Sequence, residues 1–316
     1  MSAKITTTNT AAGDCKSTPD VATTRPVSPW PIVSQDERLF TQNYNHASFR
    51  FGHQLGEQSA FGLRQLAEYA QRVRLDTVHI TNEQALVQDG WGKSLTQRRT
   101  LLELLENLEQ NNALIVFKNI GEDDAYHGIV ESALGNLAAM VGAQLLRDML
   151  VGRGTLLVAS PQRITPYHFD ADTNFLFQIR SAKTLYVFHP SVVTNDELER
   201  YYNGDLSAGI FREELQQQAI AYDLDAGLGV HIPLGSPHWA QNHAGVSVAL
   251  SVNYDLRSDE RRARLYRLNS RLRKLGIQPR APGASRERDA LKIAALDGAH
   301  YMRRLWRSER RPSDPG

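Results

Sequence analysis

Between residues 155 and 254 the chain breaks into short apolar runs, separated by Gly, Pro, Asn, Asp and Ser. The runs cover 155–160, 165–169, 173–179, 183–188, 219–222, 229–233, 238–242 and 246–254. They are rich in Val, Ile, Phe, Tyr and Thr, side chains that pack well on a pleated surface, and they are too short for ordinary helices. Eight strands crowded into about a hundred residues must hide their edges by closing on themselves or by doubling into two sheets. A jelly roll or barrel is the expectation.

The flanks read differently. Residues 61–70 place Leu63, Leu66, Ala67 and Ala70 at helical spacing, and 94–111 do the same with Leu101, Leu104, Leu105 and Leu108. A third helix is expected over 123–141, with strands near 76–80 and 113–117 between the helices. Beyond the barrel, Ser258 reads as a helix N-cap and Gly276 as a C-cap, with Leu265, Leu268, Leu272 and Leu275 between them. A last helix is expected over 285–307. The fold class is therefore mainly β with flanking helices: a jelly-roll or barrel core, N-terminal α/β elements and C-terminal helices. Residues 1–35, rich in Thr, Ser, Ala and Pro, are expected to form a disordered tail, 36–256 the central domain and 257–316 a basic helical region.

The stretch Thr165-Pro-Tyr-His168-Phe-Asp170 carries the first chemical signal. Alternate residues of a strand share a face, so His168 and Asp170 can converge while Phe169 points away. An imidazole and a carboxylate are two members of the triad of two His and one carboxylate that holds Fe(II) and leaves positions open. A bare His-x-Asp is common, and a His–Asp hydrogen bond is its bland reading. His238, after the turn Pro233-Leu-Gly-Ser-Pro237, is the best third ligand. His231, inside the apolar run Val230-His-Ile232, and His243, in a turn, compete with it; a structural role fits the first and a surface role the second. Lys183 opens an otherwise apolar strand, Thr184-Leu-Tyr-Val-Phe188. It reads either as a buried cation awaiting an anion or as an edge lysine that blocks aggregation.

These residues resemble, in type and spacing, the JmjC-type cupin oxygenases, and most closely the asparaginyl hydroxylase that acts on hypoxia-inducible factor. Thr165 stands three positions before His168, Asn174 six after it and Lys183 fifteen after it, and Asn253 stands fifteen past His238. With the triad, seven positions match. The resemblance is strong over 155–256, loose upstream and absent from the first 35 residues. It implies a double-stranded β-helix (a JmjC-like cupin core) and an Fe(II)- and 2-oxoglutarate-dependent dioxygenase. Such an enzyme uses O2 to hydroxylate a C–H bond of a protein side chain or small molecule, releasing succinate and CO2. It further implies that His168, Asp170 and His238 are the catalytic metal ligands, and that Thr165, Asn174, Lys183 and Asn253 bind 2-oxoglutarate or orient its oxygens. Two rival classes stay open: a cupin metalloenzyme that does not use 2-oxoglutarate, for which Thr165 and Lys183 would have no task, and a non-catalytic binding or regulatory barrel.

Charge and composition bear on partners. The 316 residues carry 36 Lys+Arg and 35 Asp+Glu, a net of +1. Residues 257–316 hold 17 basic and 7 acidic residues, a net of +10, so residues 1–256 carry −9. Arg261, Arg262, Arg264, Arg267, Arg271, Arg273 and Lys274 read either as a solvated face on helices that pack elsewhere or as a phosphate-binding surface for nucleic acid. The resemblance also implies a homodimer through the C-terminal helices. Cys15 is the sole cysteine, which excludes an intramolecular disulfide and Cys-rich zinc or iron–sulfur modules within one chain. The absence of a long apolar run and of a secretory-type leader leads to an expectation of a cytoplasmic protein with no membrane partner.

Overall fold

A computed structural model describes residues 37–95 and 97–308. The tail expected over 1–35 and Cys15 lie outside the described residues. The chain begins with α1 (Glu37–Asn43), β1 (Phe49–Gly52), α2 (Leu63–Arg72), β2 (Val78–Thr81), α3 (Arg98–Glu106), β3 (Leu114–Phe117), α4 (Asp124–Val141) and α5 (Ala143–Asp148). The barrel strands follow as β4 (Met149–Ala159), β5 (Ile164–His168), β6 (Thr173–Arg180), β7 (Lys183–Val187), β8 (Ile220–Leu224), β9 (Leu228–Ile232), β10 (His238–Asn242) and β11 (Ser247–Leu256). A further helix, α6 (Asn195–Tyr202), is inserted between β7 and β8, and α7 (Arg257–Lys274) and α8 (Arg286–Ser308) end the described chain.

Each of the eight sequence runs forms one strand. They divide between two sheets, one ordered β1-β9-β6-β11-β4-β3-β2 and the other β5-β10-β7-β8. All pairings are antiparallel. Inside this arrangement β9-β6-β11-β4 faces β5-β10-β7-β8, and the chain crosses between the two layers at nearly every connection. The core is a double-stranded β-helix, and β1, β2 and β3 widen its larger sheet on both sides. β4 starts earlier than the apolar run suggests, at Met149, because β11 extends to Leu256 and its last residues need partners; the register places Leu256 opposite Met149 past a bulge.

The two-residue period of the strands sorts side chains between two interiors. On β11 the residues Val248, Leu250, Val252 and Tyr254 turn outward with Phe175 and Phe177 of β6. There they pack beneath Phe40 of α1, Leu66 of α2 and Val130 and Leu137 of α4. Ala249 and Leu176 turn the other way, toward Leu185 of β7 and Ala240 of β10. The helices therefore seal one face of the large sheet, and the space between the sheets is left for a site.

Several helix boundaries have visible causes. Asp123 caps α4 by accepting from the backbone of Ala125, as the expected start implies. α6 has a full capping box: Thr194 accepts from the Glu197 backbone, and the Glu197 side chain returns to Thr194. The helix expected over 94–111 is shorter, and Leu108 is buried from the turn that follows it. Ser258 is not an N-cap; α7 begins at Arg257, and Ser258 bonds the side chain of Asp148, tying α7 to the end of α5. Gly276 does close α7, with a φ of 80° that a side chain would resist. α7 lies on α6 through stacked Tyr202 and Tyr266, 5.4 Å between centroids, and through Arg273 on Glu199 at 3.0 Å. Among the described residues, no helix is long and apolar enough to cross a membrane.

Candidate metal centre

His168 is the last residue of β5 and His238 the first of β10, and the antiparallel register sets them opposite each other. Their rings lie 4.2 Å apart between centroids. Asp170 lies two residues beyond β5, and its Oδ2 is 3.8 Å from the Nε2 of both histidines. The ligand-bearing atoms of the three residues all lie within 4.8 Å of one another. They form a facial triad.

The protonation pattern suits a metal. His168 Nδ1 donates to the carbonyl of Pro166 at 2.7 Å, and His238 Nδ1 to that of Ser236 at 3.0 Å. Each carbonyl fixes the Nδ1–H tautomer and leaves the Nε2 lone pair aimed at the shared point, as second partners of metal-bound histidines do. Burial lowers both imidazoles to a pKa of about 4; His168 lowers His238 further, while Asp170 and the two backbone carbonyls pull the other way. Both are therefore neutral near pH 7. Burial raises the Asp170 carboxyl, with His238 and Lys118 pulling the other way. Two neutral nitrogens and one carboxylate, none engaged in a shorter bond at its ligating atom, are the donor set a first-row divalent ion takes. With bonds of ~2.0–2.2 Å, such an ion reaches all three after a contraction of rotamer scale.

The triad opens into a cavity of about 660 Å³ between the two sheets. Alternate residues of each strand line it: Arg153, Thr155 and Leu157 from β4, Asn174 and Leu176 from β6, Lys183 and Leu185 from β7, and Ser251 and Asn253 from β11. Thr165 of β5 lines it as well, opposite Ala240 of β10. All seven residues singled out in the sequence therefore meet in one cavity. Lys183 is only 4% exposed, and burial lowers its ammonium to about 8. Among the described residues nothing bonds its Nζ. An unpaired buried cation is costly, so its place between apolar Leu176, Leu185 and Ile232 calls for an anion.

Asn174 and Asn253 are less free than the sequence suggests. Ser251 Oγ lies 2.8 Å from the Oδ1 of each, and Asn253 Nδ2 donates to Asp172 Oδ1 at 3.0 Å. The hydroxyl has one proton, so the chain is fully satisfied when Asn174 turns its amide nitrogen toward Ser251. The competing histidines are placed elsewhere. His231 is fully buried, stacked on Phe175, donates to the Asn174 carbonyl and accepts from Asn45 N. His243 bonds Thr184 on the far side of β7. Tyr186 also faces out, stacked on Trp239 at 4.1 Å.

Among the cavity residues that were not singled out in the sequence, four polar or aromatic ones stand out. Asp172 continues the His168, Asp170 alternation by one more step, a signal that the sequence carries. Tyr201, whose hydroxyl accepts from Ala171 N, comes from α6, and Arg153 is engaged by Asp255. Trp91 lies edge-on to His168 at 4.7 Å and comes from the loop before α3, where no periodicity marks it. That loop meets the one after α6 at the mouth: a Cβ at Gly90 would stand 3.1 Å from Ser207 Oγ.

No family model matches the chain, and no curated protein matches it. Among solved structures it is similar to the Escherichia coli ribosomal oxygenase YcfD, at 12% identity and a TM-score of 0.48 over 84% of this chain and 66% of that one. For the same oxygenase in complex with cobalt and 2-oxoglutarate the values are 12%, 0.46, 85% and 67%. An oxalate decarboxylase from Lactobacillus farciminis matches 33% of this chain and 24% of its own at 14% identity and a TM-score of 0.23. The chain thus spans 66% of the length of the first of these proteins.

Proposed function

We propose that the protein is an Fe(II)- and 2-oxoglutarate-dependent dioxygenase that hydroxylates a C–H bond of a protein side chain or small molecule. The observation that carries the reading is the pairing, in one cavity, of the His168, Asp170 and His238 triad with the buried, unpartnered ammonium of Lys183. A simple metal site would need the first and have no use for the second. In this reading the triad residues hold the iron on one face and leave the cavity side open. Lys183 Nζ receives the distal carboxylate of 2-oxoglutarate, and Thr165, whose hydroxyl is not hydrogen-bonded within the described chain, donates to the same group. Asn174, Ser251 and Asn253 form the polar wall beside it. When bound, iron and 2-oxoglutarate supply the oxidising power, one oxygen atom of O2 going to the substrate C–H and the other to succinate as CO2 leaves. The protein's part is to orient these groups and keep water out, with Trp91 covering His168.

The test is anaerobic titration of the Fe(II)-loaded protein with 2-oxoglutarate, followed through the visible metal-to-ligand charge-transfer band. A saturable band is expected. Bound iron without a band would favour a cupin metalloenzyme that does not use 2-oxoglutarate, and no bound iron would favour a non-catalytic barrel. We propose in addition that α7 and α8 carry a homodimer contact, because Leu275 at the end of α7 and Leu291 and Met302 on α8 stand exposed. A monomeric mass at micromolar concentration would overturn that.

A further inference from the structure

With the triad given to a metal and Lys183 to 2-oxoglutarate, one cation on the cavity wall is left without a partner. Lys118 follows β3 and is exposed, and its backbone N donates to the Thr77 carbonyl at 2.9 Å, so it keeps the alternation of the strand. The register sets Phe117 opposite Leu156 and Val116 opposite Leu157, which brings Lys118 beside Thr155 of β4 on the cavity face. Among the described residues nothing bonds Lys118 Nζ or the Thr155 hydroxyl. The other charges of the cavity are engaged: Arg153 in a two-pronged pair with Asp255, Asp172 by Asn253 Nδ2 at 3.0 Å, and Asp205 with Arg200 at 3.8 Å. The carboxylate that the charge of Lys118 does reach is Asp170, which the metal takes. The same face leads from Lys118 to the triad. Val116 stands opposite His79 of β2, whose ring is 5.7 Å from that of Trp91, and Trp91 is in turn 4.7 Å from His168.

We infer that the substrate carries a carboxylate that docks on Lys118 Nζ and the Thr155 hydroxyl, and an apolar or aromatic body that lies along Val116, Leu157 and Trp91 toward the open side of the triad. This rests on the oxygenase reading only for the statement that the ligand is a substrate; the carboxylate site stands on the cavity itself. Neighbouring strands lie ~4.8 Å apart, so an ammonium and a hydroxyl side by side can each donate to one oxygen of a carboxylate. A hydrogen bond to an ionised partner is roughly twice as strong as one between neutral groups, which selects the acid over its amide. One unpartnered positive charge also matches one negative charge. A phosphate monoester, at about −1.5 to −2, would leave charge unbalanced beside Glu83, Asp89 and Asp205, all exposed on the loops that meet at the mouth. Two sources share this chemistry: a free carboxylic acid, and the side chain of an acidic residue within a polypeptide.

The experiment titrates small acids into the full chain, loaded with Zn(II) to keep the sample diamagnetic and saturated with 2-oxoglutarate, and follows binding by saturation-transfer NMR. Benzoate and hexanoate are compared with benzamide and hexanamide, and the N-acetylated amides of L-aspartate and L-glutamate with those of L-asparagine and L-glutamine; phenyl phosphate serves as the dianion. Acids of the preferred source are expected to bind at least ~5-fold more tightly than their neutral counterparts. Lys118→Met should remove that margin, Lys118→Arg should restore most of it and Thr155→Val should reduce it, with 2-oxoglutarate affinity unchanged in all three. Lys118 is exposed and Thr155 only half-buried, so these variants should keep the wild-type melting temperature to within a few degrees. Tighter binding of benzoate and hexanoate assigns the carboxylate to a free acid, and tighter binding of the blocked residues to a polypeptide. Equal binding of acids and amides, no acid bound in the millimolar range, a margin that survives Lys118→Met, or tighter binding of phenyl phosphate would each overturn the inference. So would a loss of 2-oxoglutarate affinity in Lys118→Met, which would hand this lysine to the co-substrate. Failure of the oxygenase reading shows elsewhere, as an absent charge-transfer band, and the comparison of wild type with Lys118→Met still reads the carboxylate site.

Discussion

Replacing Lys183 by Met should move two properties of the protein in opposite directions. The ammonium is buried without a partner, and burial alone lowers it from 10.5 to about 8. That displacement corresponds to about 3 kcal/mol of destabilisation while the group is charged in both folded and unfolded chains. The sign follows from the order of titration. Below pH 8 the full penalty is present; between 8 and 10.5 the folded protein sheds the proton first and the penalty fades. Lys183→Met, of similar length and apolar, should therefore stabilise the metal-free protein by about 2–3 kcal/mol at pH 7, less than half as much near pH 10. If Lys183 receives the 2-oxoglutarate carboxylate as proposed, the same change removes a charge-assisted bond worth ~1.5–3 kcal/mol, so affinity should fall at least ~10-fold. Urea denaturation at the two pH values and the anaerobic charge-transfer titration read the two effects separately. A variant less stable than wild type at pH 7, or one whose 2-oxoglutarate affinity is unchanged, would refute the argument that this lysine is kept for a ligand at the expense of the fold.

Other outcomes follow from the same geometry. Asp170→Ala should abolish stoichiometric iron binding, measured by metal analysis after dialysis, whereas Lys183→Met should keep its iron; equal loss in both would contradict the division of roles. His231 and His53 are buried neutral, lowered to about 3 and about 4, so the unfolded chain binds more protons below 6.5. Stability should fall as pH drops from 6.5 toward 4, by about 2 kcal/mol per histidine at pH 5, visible as a lower urea midpoint; a flat profile over that range would show that these rings are protonated in the fold. Two glycines should answer with opposite signs in thermal melts. A Cβ at Gly229 would stand 2.8 Å from the Leu176 carbonyl, so Gly229→Ala should destabilise by about 1–3 kcal/mol, while open, helical Gly128 should gain up to ~1 kcal/mol from the same change.

The barrel strands and the triad were legible in the sequence because both rest on local rules: short β-branched runs between turn residues, and alternate residues on one face. His231 could be set aside for the same reason, since its neighbours Val230 and Ile232 mark a buried strand. The elements that escaped are those whose signal is short or borrowed. α1 has one fully buried side chain, Phe40, and β1 is four residues that exist because β9 offers an edge. α6 carries a capping box, Thr194 to Glu197, but its apolar face is narrow and no helix was expected there. Asn253 illustrates a deeper limit. Spacing places it in the cavity, but only the fold reveals that its amide is committed to Ser251 and Asp172. Trp91 reaches His168 from a loop, a contact set by tertiary packing alone.

The pairing of His168 with His238 across neighbouring strands also governs how the molecule comes together. The two ligands lie on β5 and β10, with everything from β6 to β9 between them in the chain, so neither can meet the other until the small sheet has zipped. A loop that long closes late, because its entropy must be overcome before its contacts form. The metal, touching both strands and the Asp170 turn beside them, would act as a clasp on that last closure: it would slow the opening of β5 from β10 far more than the loss of the outer helices, and chelation should leave the large sheet intact while loosening the small one.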